Sequence, residues 1–274
     1  MPLSTEQKAH YNDHGYLVVE NLVSEAQIRE INAEASRICA EAPYAKNTPM
    51  VHWDMKIRQG EVTLPDADRE LGVFKLSDMQ HHDAFFQKYL RRAPELPVIS
   101  GLLDAQDLTC VAMQLVMKPP KHGQWQPYHQ DSFYFPIEPQ AVCAAWLALD
   151  EATVENGCLW VIPGRHKGAV NDHITPTGVK NLNPAFLEMK DVQKEKGIPV
   201  PMKPGSVVFF HSKLPHMSGP NTTDFRRRGL VIHYGNSAWQ ITKHNARHDF
   251  LVAQGRPHPE GLQRPKPEPV PATV

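Results

Sequence analysis

The sequence predicts a mainly-β protein, a sandwich or barrel of short strands with helices packed around it. Three observations lead there. From about residue 110 onward, short apolar runs alternate with Gly- and Pro-containing turns, the pattern of a sandwich or barrel. Several runs, such as AVCAAWLALD (141–150) and SVVFFH (206–211), are apolar almost throughout, as in strands covered on both faces. The first hundred residues instead carry helix signals.

Those signals come first in the chain. Ser4 stands three residues before Gln7 and Ser24 three before Gln27, both in capping-box spacing. After Ser24 the positions Ala26, Ile28, Ile31, Ala35 and Ile38 follow a helical stripe. Between the two helices, GYLVVENLV reads as a short strand joining a sheet edge. Residues 43–72, broken by Pro43, Pro49, Gly60 and Pro65, read as a loop with weak strand content near Val51, and loops of this length often serve as lids. One helix is expected from about Ser77 to Arg92 and another from Pro97 to Leu103. The β region then offers VAMQLVMK, a stretch ending at His129, AVCAAWLALD, CLWVIP, SVVFFH and GLVIHY. Residues 164–200 form an insertion with a helix expected near 184–196. After Gly255 a Pro-rich tail (256–274) reads as extended or disordered. The domain expectation is one unit over 1–255, helical to about 105 and β-built over 106–240.

The bulk composition narrows the function classes. With 274 residues, 41% of them hydrophobic, the chain can build a good core. Its net charge is −1, with both signs interspersed, which favours neither nucleic acid nor an anionic membrane as partner. No run approaches a membrane span, and the expectation is a soluble, cytoplasmic protein acting on a small molecule, of open oligomeric state. Four scattered cysteines, Cys39, Cys110, Cys143 and Cys158, form no C-x-x-C pair and read as reduced, buried thiols.

Fifteen histidines make metal chemistry worth testing. Tyr128-His129-Gln130-Asp131 holds a His and a carboxylate at i and i+2, which share a face on a strand. A third ligand must come from a distant strand. His216, after SVVFFH, qualifies, with His211 and His233 as competitors. Two histidines and one carboxylate on one face leave the opposite face of an iron(II) ion open for a co-substrate and dioxygen. His81-His82-Asp83 also matches, but it sits in a predicted helix, where i and i+2 point roughly 200° apart.

The text around these residues resembles the phytanoyl-CoA dioxygenase family. The resemblance rests on Pro119-Pro120 before Tyr128-His129-Gln130-Asp131. It continues with Trp146-Leu147-Ala148-Leu149-Asp150, then Asn156-Gly157-Cys158-Leu159-Trp160-Val161-Ile162-Pro163-Gly164-Arg165-His166. It ends with His216-Met217-Ser218-Gly219-Pro220-Asn221, Arg226-Arg227-Arg228 and His233-Tyr234, and the opening HGYLVVENLVS fits as well. It covers about residues 7–240. It implies a double-stranded β-helix core (jelly-roll, cupin-like) and an Fe(II)- and 2-oxoglutarate-dependent dioxygenase that consumes O2 and releases succinate and CO2. It assigns His129, Asp131 and His216 to iron, Arg227, eleven positions after His216, to the distal carboxylate of 2-oxoglutarate, and Ser218 to the same group. Arg165 stands where the family usually has serine, and Met217 where glycine is common. Related halogenases carry a small residue at the Asp131 position, so the carboxylate here implies hydroxylation or a related oxidation.

Elementary chemistry agrees with the carry-over. An arginine fork binds a carboxylate in bidentate fashion and stays charged, and on a strand Arg226 and Arg228 point away from Arg227. Softer candidates for the oxoacid are Gln114, Trp146 and Lys75, with plain core packing the alternative for Trp146. Trp125, Phe133, Tyr134, Arg165 and Trp239 are candidates to face substrate, against core or surface roles for each. A metal hydrolase with a bound-water nucleophile leaves Arg227 and Ser218 without a task. A non-catalytic iron and oxoacid sensor is the other rival.

Overall fold

The computed structural model describes residues 3–121, 123–178, 186–192, 196–243 and 250–263. Both predicted capping boxes form. Ser4 opens α1 (Thr5–His14), its hydroxyl accepting from Gln7 N at 3.2 Å, and Ser24 opens α2 (Glu25–Glu41), accepting from Gln27 N at 3.3 Å. Helix α2 buries Ile28, Ile31, Ala35, Ile38 and Cys39, close to the stripe read from sequence. Gly15 closes α1 at φ +80°, and a Cβ there would lie 2.4 Å from His166 Nδ1, so glycine is required both by the backbone and by the neighbour.

The strands, numbered in chain order, are β1 (Tyr16–Val19), β2 (Val51–Trp53), β3 (Val73–Ser77), β4 (Leu108–Lys118), β5 (Gln126–His129), β6 (Cys143–Ala148), β7 (Leu159–Val161), β8 (Ile198–Val200), β9 (Val207–His211), β10 (His216–Ser218), β11 (Arg227–Asn236) and β12 (Leu251–Gln254). The major sheet runs β1-β9-β6-β11-β4-β3-β2, with β12 also paired to β4, and the minor sheet runs β8-β7-β10-β5. Every pairing is antiparallel. One face of the major sheet packs Met113, Leu115, Leu147, Phe209 and Ile232 against Ile31, Ile38 and Ile99 of the helices. Its other face packs Trp146, Val208, Phe210 and Val231 against Leu159, Val161 and Val200 of the minor sheet. The alternation of every long strand thus serves two cores, which is why the runs read as continuously apolar.

Four expectations are corrected. The helix expected over 77–92 is two, α3 (Met79–His82) and α4 (Ala84–Leu90), because the Asp83 carboxylate caps α4 by accepting from Phe85 N at 2.9 Å and Phe86 N at 3.2 Å. That use of Asp83, with its 2.6 Å pair to Arg37, disposes of His81-His82-Asp83 as a metal site. Residues 43–72 are not a loose lid. Val51–Trp53 extends the major sheet, Met55–Arg58 and Asp66–Gly72 are helical turns, and Trp53 is fully buried. Over 186–192 the chain carries a two-residue strand, Glu188–Met189, rather than a helix, and the rest of the 184–196 expectation falls largely outside the described residues. The start of the tail is anchored: Leu262 is buried, and Arg256 and His258 both donate to Asp107. Residues 264–274 lie outside the described residues.

Candidate functional site

The predicted triad meets in space between the sheets. His129 ends β5 and His216 begins β10, and the two are register partners with ring centroids 4.2 Å apart. Asp131 departs from the expectation: it opens a 3-10 turn (Asp131–Phe133) rather than continuing the strand. The turn carries its carboxylate to the same point, with Oδ1 3.7 Å from Nε2 of each histidine. All three residues are buried, and one ligand atom from each lies within 4.8 Å of the others.

Both histidines are held in one tautomer. His129 Nδ1–H donates to Pro127 O at 2.9 Å and His216 Nδ1–H to Leu214 O at 3.0 Å, which leaves an Nε2 lone pair on each facing Asp131. Burial pushes His129 down to about 3, so its imidazole stays neutral and able to ligate. Burial alone would raise Asp131, but His216 and His233 outweigh it and hold the carboxyl below the usual carboxylate range. His233 is the partner that sequence reasoning placed among rival ligands. Its Nε2–H donates to Asp131 Oδ2 at 3.0 Å, fixing that oxygen and turning Oδ1 toward the histidines. His211 is elsewhere: its Nδ1 accepts from Lys213 N and its ring packs on His166.

Beyond the triad lies the arginine. Arg227 is 1% exposed and its guanidinium sits 5.3 Å from the Trp146 ring centroid. Nη2 donates to Gly157 O at 2.8 Å, whereas Nε and Nη1 are buried with no hydrogen-bond partner among the described residues. Its neighbours in sequence turn away as strand alternation requires: Arg226 pairs with Glu70 at 2.6 Å and Arg228 grips Asp150 through Nε at 2.9 Å and Nη2 at 2.7 Å. Burial lowers Arg227 to about 10, still charged at neutral pH. A narrow cavity of about 70 Å3 joins Arg227 and Ser218 to the triad, with Trp146 and Gln114 on its wall. Two orphaned guanidinium donors, a buried hydroxyl and a facial triad fit a chelating dicarboxylate on a metal ion.

A second cavity of about 190 Å3 shares Gln114 with the first and includes Lys75, Tyr134, His52 and Asp78 in its lining. Of the residues expected to face substrate, Tyr134 lines this cavity and lies edge-on to His129. The others do not line either cavity. Phe133 is 42% exposed and stacks on His173 at 4.2 Å, because the 3-10 turn swings it outward. Trp125 is half-buried in the loop before β5. Arg165 belongs to a short turn tethered to α1 through Gly164 N and His14 O. Trp239 packs with Phe135, Ile137 and Phe250, one layer behind the wall. Lys75 lines the larger cavity rather than the narrow one.

A two-histidine, one-carboxylate face beside a buried arginine, set between the two sheets of a jelly roll, defines an iron- and 2-oxoglutarate-dependent oxygenase. The chain belongs to the phytanoyl-CoA dioxygenase family, which it matches over residues 11–229. It is 33% identical over 241 residues to a probable phytanoyl-CoA dioxygenase of Caenorhabditis elegans, covering 85% of this chain and 76% of the relative. It is 31% identical over 240 residues to the peroxisomal phytanoyl-CoA dioxygenase of Rattus norvegicus, covering 86% and 69%. Among solved structures, the epimerase SnoN in complex with Fe3+, alpha ketoglutarate and nogalamycin RO superposes with a TM-score of 0.67 at 22% identity, over 93% of each chain. No described helix is long and apolar enough to cross a membrane.

Proposed function

We propose that this protein is a dioxygenase that oxidises a small organic molecule, most simply by hydroxylation, in a reaction dependent on Fe(II) and 2-oxoglutarate. The carrying observation is the pair of unpartnered donors on buried Arg227, a short cavity away from the triad. A metal hydrolase has no use for that cation. In this reading His129, Asp131 and His216 hold the metal, and Arg227 with Ser218 receives the distal carboxylate of the oxoacid. Trp146 stiffens the guanidinium, and His233 keeps Asp131 bound through one oxygen. When bound, iron and 2-oxoglutarate supply the activation of dioxygen and the oxidising step. The chain's own task is to orient them and keep water out with the apolar wall of Leu159, Phe210 and Val231. Substrate enters from the larger cavity, past Tyr134 and Gln114.

The unit that does this joins the N-terminal helices to the major sheet through their shared core and includes the anchored start of the tail, past residue 255. All four cysteines are free and buried, which fits a reducing compartment such as the cytoplasm. The rat and human phytanoyl-CoA dioxygenase relatives are named as peroxisomal. The test is succinate formation from 2-oxoglutarate under air with iron(II), across a panel of small acids, amines and acyl-CoA thioesters that includes phytanoyl-CoA, the compound in the relatives' names. Substrate-stimulated succinate release is expected. Tight iron and oxoacid binding with no release on any compound favours a sensor.

A further inference from the structure

We propose that Lys118 is a second cation of the oxoacid site, a positioning residue behind Arg227 that gains a proton from solvent when a dicarboxylate 2-oxoacid binds; the inference rests on the oxygenase reading above. Lys118 ends β4 directly opposite Arg227 of β11, and opposed residues on antiparallel strands share a face. The two are 3% and 1% exposed. Two basic side chains therefore stand together out of water, and Lys118 has no ion-pair partner among the described residues.

Among the described residues, what packs around Lys118 brings no acid to it. Its Nζ donates to the Gln124 carbonyl, a bond that a neutral amine makes as well as an ammonium. Its stem runs along Gly157, where a Cβ would lie 2.9 Å from Lys118 Cδ, and Gly123 and Asn221 cover its base. The Gly157 carbonyl is the same one that anchors Arg227 Nη2. From β11 the facing charge is Arg227 itself. Asp150, whose charge reaches Arg227, is already gripped by Arg228. Lys118 does not line the oxoacid cavity, so it acts through Arg227 rather than by touching the ligand.

Like charges at close quarters in a poor dielectric disfavour one another, and the weaker base yields. Burial, then the charge of Arg227, push the Lys118 amine well below its ordinary range. A carboxylate docking on Arg227 offsets that repulsion. The Nζ lone pair then takes one proton from buffer, a new N–H bond forms, and no other bond changes.

The experiment is calorimetric titration of 2-oxoglutarate into the anaerobic Fe(II)-loaded full chain, in two buffers of equal pH and different ionisation enthalpy, repeated from neutral to mildly alkaline pH. The wild type is expected to show net proton uptake on binding, with affinity falling as pH rises. Lys118→Met, which keeps the apolar stem, should lose the uptake and flatten that limb. Wild-type binding without proton exchange overturns the proposal, as does uptake that persists in a folded Lys118→Met. Failure of 2-oxoglutarate to bind at all overturns the oxygenase reading and this inference with it.

Discussion

Replacing Arg227 by Ala removes a charged fork with two buried donors that have no hydrogen-bond partner among the described residues. A charge-assisted, bidentate contact to a carboxylate in a buried site is worth about 2–4 kcal/mol. At roughly 1.4 kcal/mol per decade, that is a loss of about 30- to 700-fold in 2-oxoglutarate affinity. The flanking arginines are internal controls of the same chemistry. Arg226 and Glu70 form a partly exposed ion pair, and its loss should cost at most about 1 kcal/mol of stability. Arg228→Ala strands the Asp150 carboxylate, so its effect should fall on stability rather than on the oxoacid. Arg227→Lys keeps the charge without the fork and should fall between wild type and Ala. The assay is the oxoacid dissociation constant of each anaerobic Fe(II) protein, with thermal unfolding alongside. An equal rise for all three Ala variants, or no change in Arg227→Ala, refutes the argument from strand alternation and burial.

Three further outcomes follow from the same geometry. His129→Ala, Asp131→Ala and His216→Ala should each abolish stoichiometric iron binding while His211→Ala keeps it; metal content after desalting reads this, and retention by His216→Ala would show the wrong third ligand. Gly229→Ala would place a Cβ 2.1 Å from Trp146 Cζ2, displacing the ring from Arg227; a stability loss of roughly 1–3 kcal/mol and weaker oxoacid binding are expected from melting curves and calorimetry. Glu95, fully buried between Tyr89 and Tyr234 hydroxyls, is raised by burial from 4.5 to about 7. The folded state therefore holds a proton that the unfolded chain releases near 4.5, so this contribution is fully present below 4.5 and is lost as pH rises through about 7. At 1.36 kcal/mol per unit the loss approaches about 3 kcal/mol, and Glu95→Gln should remove it. Urea midpoints at acid and mildly alkaline pH decide, and an unchanged pH slope in Glu95→Gln would sink the claim.

Local sequence determined much of the frame. Ser4 with Gln7 and Ser24 with Gln27 are self-contained caps, closed within four residues, and they formed as read. The long apolar strands and the inward turn of Arg227 between Arg226 and Arg228 follow from a period of two, which sequence states directly. The triad was legible through the resemblance, which lifted a weak His129-x-Asp131 spacing and chose His216 among its competitors. What only tertiary structure decided is which side chain answers which. Asp131 reaches the metal point from a turn because Ser132 N donates to Ser212 O, across a gap that no local pattern spans. His233 is a rival ligand on paper and the Asp131 clamp in space, 102 residues away. Lys118 reads as the last residue of a strand, and only the β4–β11 register sets it beside Arg227. Asp83 breaks a predicted helix because its carboxylate outbids the backbone for two N–H groups. Periodicity reports the face a residue occupies, whereas hydrogen bonds and charge depend on what the fold brings to that face from elsewhere in the chain.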